Sequence, residues 1–164
     1  SGTVFNPPAD AGDNLMEGHF FDGSPMLNVP TPTGIECAGG LHTTGADMLK
    51  WIAWNVDQDG DEMRELRRVS QAAYLYRDGL DSIVGIDDAG PMGAMSLGWV
   101  IVMPEGNRPL ILEKTGGLQG FFTYVAIAPT RGVGAFFVMN QFNAGAFGAA
   151  VTRTNDFVAS LAPR

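Results

Sequence analysis

Four short apolar runs follow one another in the last third of the chain: SLGWVIVM (96–103), RPLILEKTG (108–116), FFTYVAIA (121–128) and VGAFFVMN (133–140). Tight turns such as PEGN and PTRG separate them. Short runs at this spacing argue for an antiparallel meander. Their near-continuous hydrophobicity predicts a sheet covered on both faces. After them, Phe147, Val151, Val158 and Leu161 recur at three- and four-residue steps, which predicts a helix over about 144–161. A helix on an antiparallel sheet is an α+β arrangement.

Two helices are predicted upstream. LHTTGADMLKWIAWNV (41–56) carries Thr43 or Thr44 as a cap and Asp47 in the first turn, with Leu49, Ile52, Ala53 and Val56 as an apolar stripe. A second helix is expected over roughly 61–77, with Met63, Leu66, Val69, Ala73 and Tyr76 turned inward. Residues 78–94 read as a Gly- and Asp-rich connection. Residues 1–40, rich in Gly and Pro and without helical period, read as an extended segment that must lie on something else. The expected organisation is therefore one unit in three parts: a loop-rich segment (1–40), a helical part (41–94), and an antiparallel sheet with a C-terminal helix (95–164).

The length of 164 residues allows one domain with a sizeable core. A net charge of −8 with no basic run argues against nucleic acid as a partner. A single cysteine, Cys37, excludes an internal disulfide. No apolar run approaches the length of a membrane span, so any leader or anchor is expected outside this chain. The opening Ser1-Gly2 reads as an arbitrary boundary or cloning scar rather than as an N-terminal nucleophile.

Lys114 is one of only two lysines, and it closes an apolar run just before Thr115, Gly116 and Gly117. As a tripeptide, Lys-Thr-Gly also fits a plain strand end. Its chemical reading is specific: an ammonium beside a nucleophile, a hydroxyl for a substrate carboxylate, and glycines that let a substrate lie against the strand. A backbone N–H just beyond could then face a developing oxyanion.

Several phrases in order give this reading its context: EGHFFDG (17–23), AGGLHTTGADMLKW (38–51), SLGW (96–99), KTGGLQGFFTYVAIAP (114–129) and GVGAFFVMNQFN (132–143). Together they resemble the class C β-lactamase-like penicillin-recognising serine hydrolases over about residues 15–160. EKTGGLQGFF is similar to the AmpH-type branch of DD-carboxypeptidase/endopeptidases. The resemblance implies the C-terminal portion of the β-lactamase/transpeptidase-like fold. It also implies acyl-enzyme chemistry on D-Ala-D-Ala peptides or β-lactams, no cofactor or metal, and a periplasmic or cell-envelope location. It assigns Lys114, Thr115 and Gly117 to catalysis, and Thr115, Gly116, Gly117, Asn140 and Asn143 to substrate binding. For Asn140 and Asn143 a strand-end cap is the simpler reading of the residues themselves.

The family's Ser-x-x-Lys and Tyr-x-Asn elements are missing. None of the serines Ser1, Ser24, Ser70, Ser82, Ser96 and Ser160 has a lysine three residues on, and neither Tyr74, Tyr76 nor Tyr124 has Asn two residues on. Acyl transfer needs its nucleophile and base, so the chain alone is expected to be inert. The expected partners are the N-terminal half of the same domain or a second copy, with peptidoglycan peptide or β-lactam as ligand. The alternatives are a non-catalytic peptidoglycan- or protein-binding module, and an esterase or D-aminopeptidase relative. His19 and His42 lack ligand spacing. NVDQDGDE (55–62) imitates a calcium loop, but Leu66 stands where the bidentate Glu belongs. It reads instead as an acidic corner that caps the second helix.

Overall fold

In the computed structural model, residues 2–7, 11–12, 15–85 and 91–163 are described; Ser1 and part of the 78–94 connection lie outside them. The dominant element is a six-stranded antiparallel meander. Its strands are β5 (Leu75–Tyr76), β6 (Ala94–Met95), β7 (Val100–Val102), β8 (Ile111–Leu118), β9 (Phe121–Ala128) and β10 (Val133–Met139), each paired with its sequence neighbour. The expected meander is present, with two short strands added at one side.

Two boundaries differ from expectation for local reasons. SLGW is not strand: residues 96–99 form the turn between β6 and β7, with Met95 opposite Val100 and Gly98 at φ +89° where the chain reverses. At the other boundary, β8 does not end at Gly116. Gly117 pairs with Phe122 and Leu118 with Phe121, so the turn shrinks to Gln119-Gly120 and Lys-Thr-Gly-Gly lies inside the strand.

Both faces of the sheet are covered, as its apolar runs predict. Helix α4 (Ala144–Leu161) seats Val151 and Val158 on Val102, Ile111, Tyr124, Ala126 and Ala128. On the other face, α2 (Gly45–Val56) seats Ile52 among Ala94, Trp99, Ile101, Leu112, Val125 and Ile127. Both helices start at side-chain caps. The Thr44 hydroxyl accepts the Asp47 N–H at 3.2 Å, and the Asn143 Oδ1 accepts the Ala146 N–H at 2.9 Å.

The rest of the helical part departs from its pattern. On α2, Leu49 and Ala53 face solvent, whereas Ile52 and Asn55 are buried. Helix α3 is only Arg64–Gln71, and Met63, Leu66, Val69 and Tyr76 are exposed. Arg67 is buried in their place. Its guanidinium lies 5.2 Å from the centroid of the Trp54 ring and donates to the Gly60 carbonyl at 2.7 Å. A cation–π contact plus a carbonyl acceptor offsets the cost of burying that charge. The acidic corner also differs. Asp57 accepts the Asp59 and Gly60 N–H groups, while α3 begins at Met63 without a side-chain cap.

Among the described residues up to 42 the elements are short: β1 (Val4–Phe5) pairs with β4 (Leu41–His42), β2 (Gly18–His19) pairs with β3 (Pro25–Met26), and α1 is Glu36–Gly39. The segment is tied to other parts of the chain. Asp47 accepts the Gly2 N–H at 2.6 Å, and Asn140 donates to the Glu17 carbonyl at 2.9 Å. Ile127 is fully buried in the core under α2, and Leu49 is open. Ile127→Ala should therefore cost about 2–5 kcal/mol in a denaturant melt. Leu49→Ala should stay within about 0.5 kcal/mol.

Candidate active site

The Lys114 strand is built by alternation. Successive side chains of a strand leave opposite faces, and β8 reads buried from Ile111 to Glu113, then opens at Lys114. Lys114 stands opposite Val125, on the face that α2 covers further along. Its ammonium is exposed and donates to the Thr115 carbonyl at 2.6 Å. Thr115 stands opposite Tyr124 and therefore on the α4 face. The structure thus brings Lys114 and Gly116 to one face and Thr115 to the other. Gly116 and Gly117 are exposed. A side chain at Gly116 would come within 2.6 Å of the Thr123 hydroxyl, and one at Gly117 within 3.0 Å of the Phe122 ring.

The neighbour of β8 on its other side stops early. Strand β7 pairs only with Ile111, Leu112 and Glu113. From Lys114 onward, no strand among the described residues pairs with that edge of β8. An open edge exposes backbone donors and acceptors to which an extended peptide can add.

Beneath the strand lies a buried polar group that the sequence reading missed. Glu113 and Tyr124 are both inaccessible to solvent. The Tyr124 hydroxyl donates to Glu113 Oε2 and lies 2.7 Å from Asn155 Oδ1 on α4. One phenol proton serves one acceptor at a time, and the carboxylate is the stronger. Asn155 completes the group by turning its NH2 to the phenol oxygen. Burial, then the adjacent Glu113 charge, hold the Tyr124 phenol well above the ordinary tyrosine range. An acidic residue at an inward position of an apolar run was the signal available in the sequence.

Asn143 is the N-cap of α4, whereas Asn140 ties down the Glu17–His19 backbone. Asn143 starts α4, while the Asn140 carbonyl accepts the His19 N–H at 2.7 Å and its amide holds Glu17. His19 lies on β2 and His42 on β4. Among the described residues, no group of three or more His, Cys, Asp or Glu is placed to hold a metal ion, and no helix is long and apolar enough to cross a membrane.

The sheet between two helices, with Lys-Thr-Gly-Gly along an open strand edge, is the architecture of one known class. Residues 1–159 match the Beta-lactamase family model, and the chain belongs to that family. It is 31% identical over 159 residues to the D-alanyl-D-alanine-carboxypeptidase/endopeptidase AmpH of Escherichia coli K12, covering 97% of this chain and 40% of that protein. Among solved structures it resembles a beta-lactamase/D-alanine carboxypeptidase from Yersinia pestis complexed with citrate. There the identity is 32% and the TM-score 0.77, over 98% of this chain and 44% of that one. A class C beta-lactamase shares the fold at 18% identity and a TM-score of 0.72, over 97% of this chain and 46% of that one. The chain thus spans about two fifths of the curated relatives it matches.

Tyr124→Phe removes the donor to a buried carboxylate and should destabilise the chain by about 1–3 kcal/mol. The pH dependence follows from the raised phenol. A group whose folded pKa exceeds its unfolded value contributes stability below the unfolded value and loses it above. Stability should therefore fall above about pH 10, the unperturbed tyrosine range. Tyr124→Phe should flatten that alkaline limb in melts run across pH.

Proposed function

We propose that this chain is the C-terminal part of one β-lactamase-like domain, in a serine hydrolase of the cell envelope or periplasm. That enzyme works through an acyl-enzyme on D-Ala-D-Ala peptides or β-lactams. The observation that carries this reading is the open edge of β8, which begins at Lys114 and runs through two exposed glycines. The name of the 31%-identical relative supplies the substrate class.

In this reading a substrate lies extended along the edge of Lys114–Leu118. Lys114 sets the electrostatics beside a serine supplied from upstream. Its ammonium stabilises negative charge that develops on the carbonyl under attack. The Gly117 N–H completes the oxyanion hole, and the Thr115 hydroxyl binds the substrate carboxylate from the strand edge. Gly116 keeps the approach clear. Asn140 and Asn143 border the site through the backbone they hold rather than by direct contact. The serine attacks the acyl carbon, the amine or opened lactam nitrogen takes its proton, and water then releases the acyl group.

By itself the chain is inert, because Ser-x-x-Lys and Tyr-x-Asn do not occur in it. Leu49, Trp51, Leu66, Val69 and Leu97 form exposed apolar surface. The upstream half of the domain covers that surface, and a second copy substitutes for it when the chain is alone. The missing nucleophile also supports a second reading, a non-catalytic module that binds peptidoglycan peptides.

Fluorescent-penicillin labelling on a denaturing gel separates the two. The chain extended upstream through its own gene should label, and residues 1–164 alone should not. Lys114→Ala in the extended chain should slow labelling by about 10²-fold. Label on neither form, with no turnover of a chromogenic ester, would favour the binding module. Ester turnover without label would assign an esterase relative. Label on the short chain would contradict the missing-nucleophile account.

A further inference from the structure

The turn that ends the Lys114 strand carries an unexpected residue. Leu118 and Phe121 pair, which leaves Gln119 and Gly120 as a two-residue loop at φ +52° and +81°. That is a type I′ turn, whose first position favours Asn, Asp or Gly. A glutamine there sits in the left-handed region without the freedom of glycine.

Its side chain explains its place. Gln119 Oε1 accepts the Val29 N–H at 3.1 Å, and Gln119 Nε2 donates to the Val29 carbonyl. One amide thus satisfies both backbone groups of one residue 90 positions away, as a paired strand would. The contact is reinforced at the other end of the same segment. A Cβ at Gly18 would stand 2.0 Å from the Gln119 carbonyl oxygen, and one at Gly120 2.5 Å from the His19 nitrogen. A third contact comes from α1, where a Cβ at Gly39 would stand 2.9 Å from the Leu118 side chain. Residues 17–29 therefore form a strap, folded on itself by the Asp22–Ser24 turn and pressed on the hairpin tip that follows Gly116 and Gly117.

We propose that Gln119 is a positioning residue. Its amide clasps Val29 and fixes the 17–29 strap against the Gln119-Gly120 hairpin tip, at the end of the open strand edge. The clasp stands on its own geometry; its consequence for substrate rests on the function proposed above. The strap touches no reacting atom, so the clasp acts on binding of an extended peptide rather than on the chemical step.

Two variants test this. Gln119→Gly removes the clasp but suits the turn. Gln119→Glu keeps the size, loses the donor and sets a carboxylate against the Val29 carbonyl. Hydrogen-exchange mass spectrometry on wild type and both variants reads the peptide spanning 24–32. Exchange there should speed up about tenfold in each variant, while the melting temperature of Gln119→Gly stays level or rises. Unchanged protection in both variants would overturn the clasp. So would a lowered melting temperature in Gln119→Gly with faster exchange everywhere, because Gln119 would then be a general structural residue. In the upstream-extended enzyme, Gln119→Gly should raise KM for an acyl-D-Ala-D-Ala peptide about fivefold, with kcat within twofold. A fall in kcat at unchanged KM would overturn the positioning role. An inactive wild-type enzyme would refute the proposed function, and the exchange result would still decide the clasp.

Discussion

Everything in this chain depends on the ladder between β8 and β9. Seven residue pairs, from Leu112–Ile127 to Leu118–Phe121, fix one register. A slip of one residue would turn every side chain of β8 to the other face. Leu112 would leave the α2 core, Ile111 would leave the α4 core, and the buried Glu113 would face the α2 side without Tyr124. Two apolar cores and one buried hydrogen bond therefore specify the position of Lys114. The lysine is exposed because the strand runs past the end of β7, not because the strand is loose.

That arrangement separates stability from chemistry along a single strand. Ile111, Leu112 and Glu113 lie under cover and hold the sheet to its helices. Lys114 to Leu118 have β9 on one side and an open edge on the other. The residues with the strongest chemical character sit where backbone groups remain available to a ligand. Gln119 then turns the chain and, through its amide, ties a distant segment to the same end.

The sheet and its C-terminal helix were legible in the sequence because burial on both faces writes continuous apolar runs, and Val151 and Val158 keep helical spacing. The helical part was less legible. Its stripe of Leu49, Leu66 and Val69 has the period of a core face, yet these side chains are exposed in this chain, while the buried position of α3 belongs to Arg67. A buried arginine leaves no apolar signal; its partners Trp54 and Gly60 are fixed only by tertiary contact. The strand boundary at Gly116 was misplaced because Gly117 reads as a breaker, whereas the register carries pairing through to Leu118. Lys114, Thr115, Gly116 and Gly117 stand out in the sequence by residue type and context. The opposite facing of Lys114 and Thr115 follows from strand alternation, and the early stop of β7 was invisible because SLGW has the composition of a strand. Glu113 with Tyr124 and Asn155, and Gln119 with Val29, join residues far apart in sequence, so no local pattern announced them.

In the function proposed above, Lys114 belongs to an active site completed by another part of the same domain. Reconstitution tests it most directly. The upstream segment, produced separately, is mixed with residues 1–164, exposed to a penicillin and read by intact mass. An acyl adduct is expected on the upstream polypeptide only when this chain is present, and it should be lost when the added chain carries Lys114→Ala. An adduct that forms equally without this chain, or that appears on this chain instead, would contradict it.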